Sequence, residues 1–396
     1  MTSMGKLDGR VRKKRITKYG SFCLFMMLML LFSVGCDSSV REVRDETPSA
    51  KVELFYAEQF TIENLSDGYR HISVADGNEY ILVPKGKEKK DFGIEKPSYI
   101  EIPCENIYLA ASSAMDLFQS IDSLESIRSC STSAKDYSLE AVKEKIEKNE
   151  ITYVGKYSAP DYELLMGMHT GLAIESTMIY HNPKVKEQLE GLGIPVFVER
   201  SSYEASPLAR LEWIKIYGIL TGREKEANDF FEEERGKIEQ LQKVLDEERP
   251  EDSKRKSVAF FYITSNGYVS VRKPGDYICK MIEMAGGKYR LDDILVEEEN
   301  ALSTMNINWE DFYREAVDAD ILIYNSTIDG GIESVDELLQ KNELFRDFKA
   351  VKENNVWCTG MNMFQETGKP AEILYDLYHV IKADGEKTEY LNQLMP

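Results

Sequence analysis

Histidine is scarce in this chain: its 396 residues hold four, at positions 71, 169, 181 and 379. That scatter argues against capture of a bare zinc or manganese ion, which needs clustered imidazoles and carboxylates. His181, beside a helix start, reads as a capping or surface residue. Also missing are a Gly-x-Ser-x-Gly elbow, a glycine-rich phosphate loop and an HExxH pair, so an enzyme is not expected. Basic side chains are in deficit, with 49 Lys and Arg against 69 Asp and Glu. Nucleic acid is therefore an unfavoured partner, because a phosphate backbone selects basic surfaces. None of the six cysteines sits in a CxxC pair, which leaves zinc ribbons and thioredoxin-type sites without support. No metal site and no cofactor is implied.

The one long apolar run, 22–34, follows seven basic residues and ends at Cys36 behind small side chains. It is shorter than the roughly 20 residues a helix needs to cross a bilayer, so it reads as an export signal. Residues 33–36 (Ser-Val-Gly-Cys) resemble a bacterial lipobox, with Cys36 as the lipidated residue; Ser33 departs from the usual Leu. An ordinary secretory cleavage with Cys36 incidental is the alternative. On this reading 1–36 is a lipoprotein signal peptide, and 37–50 is polar, without apolar periodicity, and forms a flexible tether. Removing 1–36 takes away seven basic and one acidic side chain, leaving 42 against 68 and a net charge near −26. An extracytoplasmic site permits a disulfide, with Cys104 and Cys130 nearest in the chain; buried free thiols are the equal alternative.

The remaining 360 or so residues exceed what one hydrophobic core serves, so two domains are expected. Residues 51–55, 60–64, 69–74 and 79–84 are β-branched and aromatic runs between Asp-Gly and Gly-Asn turns, a short β meander. From 107 onward apolar runs near 107–111, 152–154, 171–175 and 194–198 alternate with amphipathic stretches, and the same pattern resumes at 257–263, 321–324 and 356–358. Such alternation predicts an α/β fold with largely parallel sheets covered on both faces. Between the halves lie helical 207–220 and then 224–248, the latter with apolar residues near a 3.6 period. At 1.5 Å per residue it spans about 37 Å, enough to join two lobes stiffly. The expected order is an N-terminal lobe with meander (51–205), connecting helices (206–250) and a C-terminal lobe (251–396).

Several segments together resemble the periplasmic binding proteins that serve ABC importers of ferric siderophores, haem and cobalamin. They are TMIYHNP at 177–183, GIPV at 193–196, YEASPLARLEWIK at 203–215, AGG at 285–287 and DADILIYN at 318–325. The resemblance covers about 107 to the end. It implies two Rossmann-like lobes joined by one rigid helix, ligand in a shallow cleft between them, and a monomer. The partners it implies are a metal-chelate small molecule and the permease and ATPase subunits of an ABC importer, with the membrane reached through the lipid anchor only.

In open α/β sheets ligands bind beyond the carboxyl ends of the strands. That rule selects Ser112, Ser113, Met115, Tyr157, Glu175, Met178 and Tyr203 in the first lobe, and Thr264, Asn266, Tyr268, Asn325, Met363 and Phe364 in the second. Arg272 is the one basic side chain expected at the cleft, as a partner for ligand carboxylates or an anionic catecholate. The set is rich in hydroxyls and amides, which suits an oxygen-rich iron chelate ahead of haem or cobalamin. Tyr157, Tyr203 and Tyr268 keep haem-iron ligation open. The resemblance further implies an exposed carboxylate at the tip of each lobe docking on permease arginines, here Glu204 and, in place of the family's usual Glu, Asp276; helix capping is the alternative role for both. The competing reading is a surface lipoprotein, an adhesin or haem-capture protein, of the same fold without a dedicated permease.

Overall fold

The computed structural model describes residues 50–294, 303–328 and 330–396. The signal peptide, Cys36 and nearly all of the 37–50 tether lie outside the described residues. The body begins with a five-stranded sheet of β1 (Ala50–Lys51), β2 (Phe60–Asn64), β3 (Arg70–Val74), β4 (Glu79–Pro84) and β5 (Ser98–Ile102) in that order. β1 to β4 pair antiparallel and β5 joins β4 in parallel. Period-two alternation puts Phe60, Ile62, Ile72, Val74, Tyr80, Leu82 and Ile100 on the face that joins the main core.

The strand expected at 51–55 stops early for a specific reason. The N–H groups of Phe55, Tyr56 and Ala57 donate to the carboxylate of Glu212 at 2.8 to 3.1 Å, and those of Glu58 and Gln59 donate to Glu204 at 3.0 and 3.1 Å. Five consecutive backbone donors are thus satisfied by two side chains instead of by a strand partner. Lys215 donates to Glu212 at 2.6 Å and lies over the rings of Phe55 and Phe231.

The first-lobe sheet is wholly parallel, in the order β10-β9-β6-β7-β8. In chain order it runs β6 (Ile107–Leu109), α1 (Met115–Ser120), β7 (Ile127–Cys130), α2 (Glu140–Glu147), β8 (Thr152–Tyr153), α3 (Tyr162–Gly167), β9 (Leu172–Ser176), α4 (Pro183–Gly191) and β10 (Val196–Glu199). α5 (Pro207–Glu212), capped by Ser206, and α6 (Ile214–Thr221) follow. The 24-residue α7 (Glu224–Glu247) then packs on α6. A Cβ on Gly218 would stand 2.6 Å from that of Ala227, so this close helix crossing requires glycine.

The second-lobe sheet runs β14-β12-β11-β15-β16-β17, with β13 on β11. Its elements are β11 (Ser257–Ile263), β12 (Val269–Arg272), α8 (Tyr277–Met284), β13 (Lys288–Tyr289), β14 (Thr304–Ile307), α9 (Trp309–Ala316), β15 (Ile321–Tyr324), α10 (Val335–Lys341), α11 (Lys349–Lys352), β16 (Val356–Thr359), α12 (Pro370–Lys382) and β17 (Leu391–Gln393). β13, β11, β15 and β16 are parallel, and the flanking β12, β14 and β17 are antiparallel. α7 also packs on α12, which ties the connector to both lobes.

The lobes are bonded directly as well. Gly368 N–H donates to Asp116 at 2.8 Å and Thr367 Oγ1 to the Ser113 carbonyl at 2.7 Å. Gln365 accepts from Ser138 N–H and donates to the Asp136 carbonyl, each at 2.7 Å. Among the described residues Cys104, Cys130, Cys279 and Cys358 are free and buried, so the open disulfide question closes in favour of thiols. Burial pushes the thiol of Cys104 up to about 12 and that of Cys130 to about 11.

Two predictions follow from these bonds. Glu212→Ala would leave three amide donors and the Lys215 ammonium buried without an acceptor, a loss of about 3–5 kcal/mol. Urea unfolding should show it, together with proteolysis near residue 55; a loss below about 1 kcal/mol would refute the pinning role. Asp116, buried at the lobe junction, has its carboxyl pushed up from 3.8 to about 6 by desolvation, against the opposing Gly368 bond. A raised folded-state value favours the folded form below the unfolded value and loses that contribution as pH rises through about 6. Asp116→Asn keeps an acceptor without the charge, so its melting temperature should exceed wild type at pH 8 and match it near pH 4. Lower stability at pH 8 would show that the charge, not the acceptor, is wanted.

Candidate functional site

The carboxyl ends of β6, β7, β9 and β10 open onto a cleft of about 490 Å³. Ser112, Ser113, Tyr157, Met178 and Tyr203 line it as expected, joined by Ser131, Thr132, Lys156, Ser176, Thr177, Glu199 and Ser202 of the same lobe. Ser303 and Thr304, at the start of the second-lobe strand β14, complete the wall. Nine lining residues carry aliphatic hydroxyls, and Lys156 is the one cation among the described residues that line it. Glu199 is buried, with its carboxyl raised by desolvation, and accepts from Ser201 N–H at 2.6 Å. The Arg200 guanidinium stacks on Tyr203 with its carbon 4.3 Å from the ring centre, which orients that phenol. The arrangement offers hydrogen bonds on all sides to a polar guest.

Glu175 lies next to this surface without lining it. Its side chain is wholly buried, neither oxygen has a partner, and desolvation pushes its carboxyl up to about 8. Met115 departs from expectation: it opens α1 on the inward face and is fully buried in the core. Thr264, Asn266 and Tyr268 belong to the turn between β11 and β12, where Thr264 N–H and Oγ1 both donate to the Tyr268 carbonyl. That turn is exposed at 265–268 and does not border the cavity, because β12 returns antiparallel instead of feeding a crossover helix. Asn325 is buried and accepts from Thr327 Oγ1 at 2.7 Å. Met363 is buried against Pro207, Arg210 and Tyr277.

The three charged assignments need correction. Arg272 is buried, pairs with Asp276 at 3.6 Å, and lies over the rings of Phe260 and Phe364; it does not face the cleft as a free cation, and Phe364 is its packing partner. Asp276 is buried as the N-cap of α8, accepting from Ile278 N–H at 2.9 Å. Glu204 is 2% exposed and binds Glu58 N–H, Gln59 N–H and Trp213 Nε1. Neither carboxylate is an exposed tip. The acid type and helix-start position were visible in sequence, but burial depends on tertiary packing: residues 58 and 59 on Glu204, and Arg272 with Arg210 beside Asp276.

Sequence reasoning missed Ser131 and Thr132 because β7, Ile-Arg-Ser-Cys, lacks an apolar run. It missed Ser303 and Thr304 because β14 is an edge strand with a polar alternation. A larger depression of about 780 Å³ lies between α7, α12 and residues 387–392. It borders none of the strand-end loops, and Lys237 in it is already engaged by Glu233 and Glu234.

Among the described residues no helix is long and apolar enough to cross a membrane. The periplasmic binding protein family model matches residues 111–361. An uncharacterised lipoprotein of Methanocaldococcus jannaschii is 23% identical over 355 residues, covering 85% of this chain and 82% of its own. A Staphylococcus epidermidis structure described as a possible iron-binding periplasmic solute-binding protein superposes with a TM-score of 0.54 at 19% identity, covering 70% of this chain and 98% of its own. A periplasmic haem-binding protein of Pseudomonas aeruginosa gives 0.56 at 15% identity, covering 74% and 98%. At these identities the two structures establish a shared fold. The family model spans more than half of the sequence, and its members are binding proteins and not enzymes: the chain belongs to the periplasmic binding protein family.

Proposed function

We propose that this protein is the solute-binding lipoprotein of an ABC importer, anchored through Cys36 at the end of a 1–36 signal peptide, that takes up a metal chelate in the cleft and hands it to a permease. The observation that carries the reading is the cleft itself. Its wall combines strand-end loops of one lobe with Ser303 and Thr304 of the other, so a guest there touches both lobes. An iron-siderophore fits this lining better than haem or cobalamin, because large macrocycles need broad apolar walls and nine hydroxyl-bearing residues dominate here. The division into a 51–205 lobe, connecting helices at 206–250 and a 251–396 lobe belongs to the same proposal, as does monomeric action.

With Glu204 and Asp276 buried, docking needs other carboxylates. Glu140 opens α2 and is 79% exposed; Glu310 lies in the first turn of α9 and is exposed. α2 leads into β8 and α9 into β15, so both helix starts lie at the strand-end side of their lobes, as a surface presented to a permease across the cleft mouth would require. We assign the docking role to this pair.

Tyrosine and tryptophan fluorescence of the protein, titrated with ferric hydroxamate, catecholate and citrate chelates, haemin and cyanocobalamin, tests the ligand class. Saturable quenching by a ferric chelate is expected, and Tyr157→Ala or Tyr203→Ala should weaken it about tenfold, the effect of one good contact. Binding of haemin alone would overturn the chelate assignment. For docking, Glu140→Lys with Glu310→Lys should leave chelate affinity within about twofold while abolishing uptake in cells. Unchanged uptake would reject these two carboxylates.

A further inference from the structure

Glu175 is the fourth of the five residues of β9. Its side chain points to the sheet face that carries Tyr108, Ala110, Ala173, Val196 and Val198, since Glu175 stands opposite Val198 and next to Ala110, whose N–H bonds the Ile174 carbonyl. Among the described residues neither carboxylate oxygen has a hydrogen-bond partner, and the hydroxyl of Tyr108, equally buried, makes no close one. Ser131 Oγ donates to the Ala110 carbonyl at 3.1 Å and lies close enough to that phenol to lower it slightly. The titratable groups facing Glu175 are Tyr108 on β6 and Tyr162 on α3, whose phenols are both raised in part by its charge. Burial alone lifts Glu175 to about 8, so no cation offsets it. Buried polar groups normally find partners, and two neighbouring ones left empty mark a place where a partner is brought from outside.

These groups adjoin the cleft without lining it. Ala110, beside Glu175, lines the cleft, and Tyr157 both lines it and packs on this cluster. Once ionised, the two oxygens of Glu175 together with the Tyr108 phenol offer three acceptors in an apolar setting with no cation beside them among the described residues. That matches a primary ammonium, which has three N–H donors and no acceptor, and which would favour the ionised carboxylate that an anionic chelate oxygen would oppose. We propose that the floor of the cleft is an ammonium subsite, in which Glu175 and Tyr108 receive a pendant primary amine of the ligand as Tyr157 turns aside. Where Glu175 starts protonated and the amine arrives as an ammonium, the carboxyl proton leaves to solvent and the ion pair remains. This rests on the proposed function only in taking the cleft as the binding site, and it narrows the ligand to an amine-bearing chelate.

The test uses the full chain in detergent with three probes. Ferrioxamine B is a linear ferric tris-hydroxamate ending in a primary ammonium, ferrioxamine E is its macrocyclic counterpart without an amine, and 1,5-diaminopentane is an amine without iron. Wild type at pH 7 should bind ferrioxamine B at least about tenfold more tightly than E, the size of one charge-assisted contact. The preference should collapse in Glu175→Gln, which keeps shape but loses charge, while affinity for E stays unchanged. Proton release on binding B, read by calorimetry in two buffers, should vanish in the same variant. Equal affinity for B and E in wild type, or a preference that survives in Glu175→Gln, overturns the subsite and leaves chelate binding intact. If neither chelate binds but diaminopentane raises the melting temperature of wild type and not of Glu175→Gln, the subsite stands and the chelate reading falls. No response to any probe rejects both.

Discussion

Two buried carboxylates set the relation between the N-terminal sheet and everything after it. Glu212 and Glu204, eight positions apart, take the N–H groups of residues 55 to 59. An extended segment with five donors and no strand partner would otherwise have to stay at the surface in water. Here it crosses over α5 and α6, with Phe55 stacked on Phe231 of α7 at 6.5 Å and Trp213 held by the same Glu204 that binds the segment. The meander is thereby fastened to the helices next to the connector. The Lys215 ammonium balances Glu212 locally, which is what makes a charge in that position tolerable. Strands β2 to β5 can then add their apolar face to the lobe core.

The cleft follows from a different constraint. Parallel strands end together, and their loops are the part of the lobe whose side chains need not pack. In the first lobe those loops carry small hydroxyl residues, which leave room and offer donors and acceptors that adapt by rotation. The second lobe approaches through its edge strand β14, and segment 365–368 is bonded to α1 and to the loop before α2. A Cβ on Gly368 would stand 3.0 Å from the Asp116 carboxylate and 2.9 Å from Ser120 Oγ, so the lobes touch there as closely as backbone allows. Together with α7 packed on α6 and α12, these bonds favour small adjustments at the cleft over a wide hinge.

Much of the fold was legible because its period signals are strong. β2, β4, β11 and β15 occupy the spans their apolar patterns predict, and α7 ends one residue short of its own. β5, β7, β14 and β17 were not legible, since each is short, at an edge or mixed in polarity, and its pairing is decided by a distant strand. For the site, the strand-end rule picked out Ser112, Ser113, Tyr157, Met178 and Tyr203, all of which line the cleft. It failed at Met115, where helix phase turns the side chain inward, and at 264–268, where a hairpin stands in place of a crossover. Charge was the least reliable guide: Glu204, Asp276 and Arg272 all look like surface groups in sequence. All three are buried, Glu204 under a partner 146 positions away and Arg272 against Phe260 and Phe364, packing that no local pattern reports.

The acidic residues of the first lobe show how burial divides into support and function. Glu212 and Glu204 are buried with their oxygens occupied by donors arranged around them, and at Glu204 these donors oppose the desolvation that raises its carboxyl. Glu175 is buried as deeply, on a strand end beside the cleft, with both oxygens empty. A group that only supported packing at that position would serve better as an apolar side chain of similar shape, since Val198 and Ala110 on either side already provide the apolar contact. Retaining an acid there lowers the stability of the empty protein at neutral pH. The penalty is recovered only if something entering from the cleft supplies the missing donors, so the unpaired carboxylate makes the ligand, not the fold, responsible for completing this part of the structure.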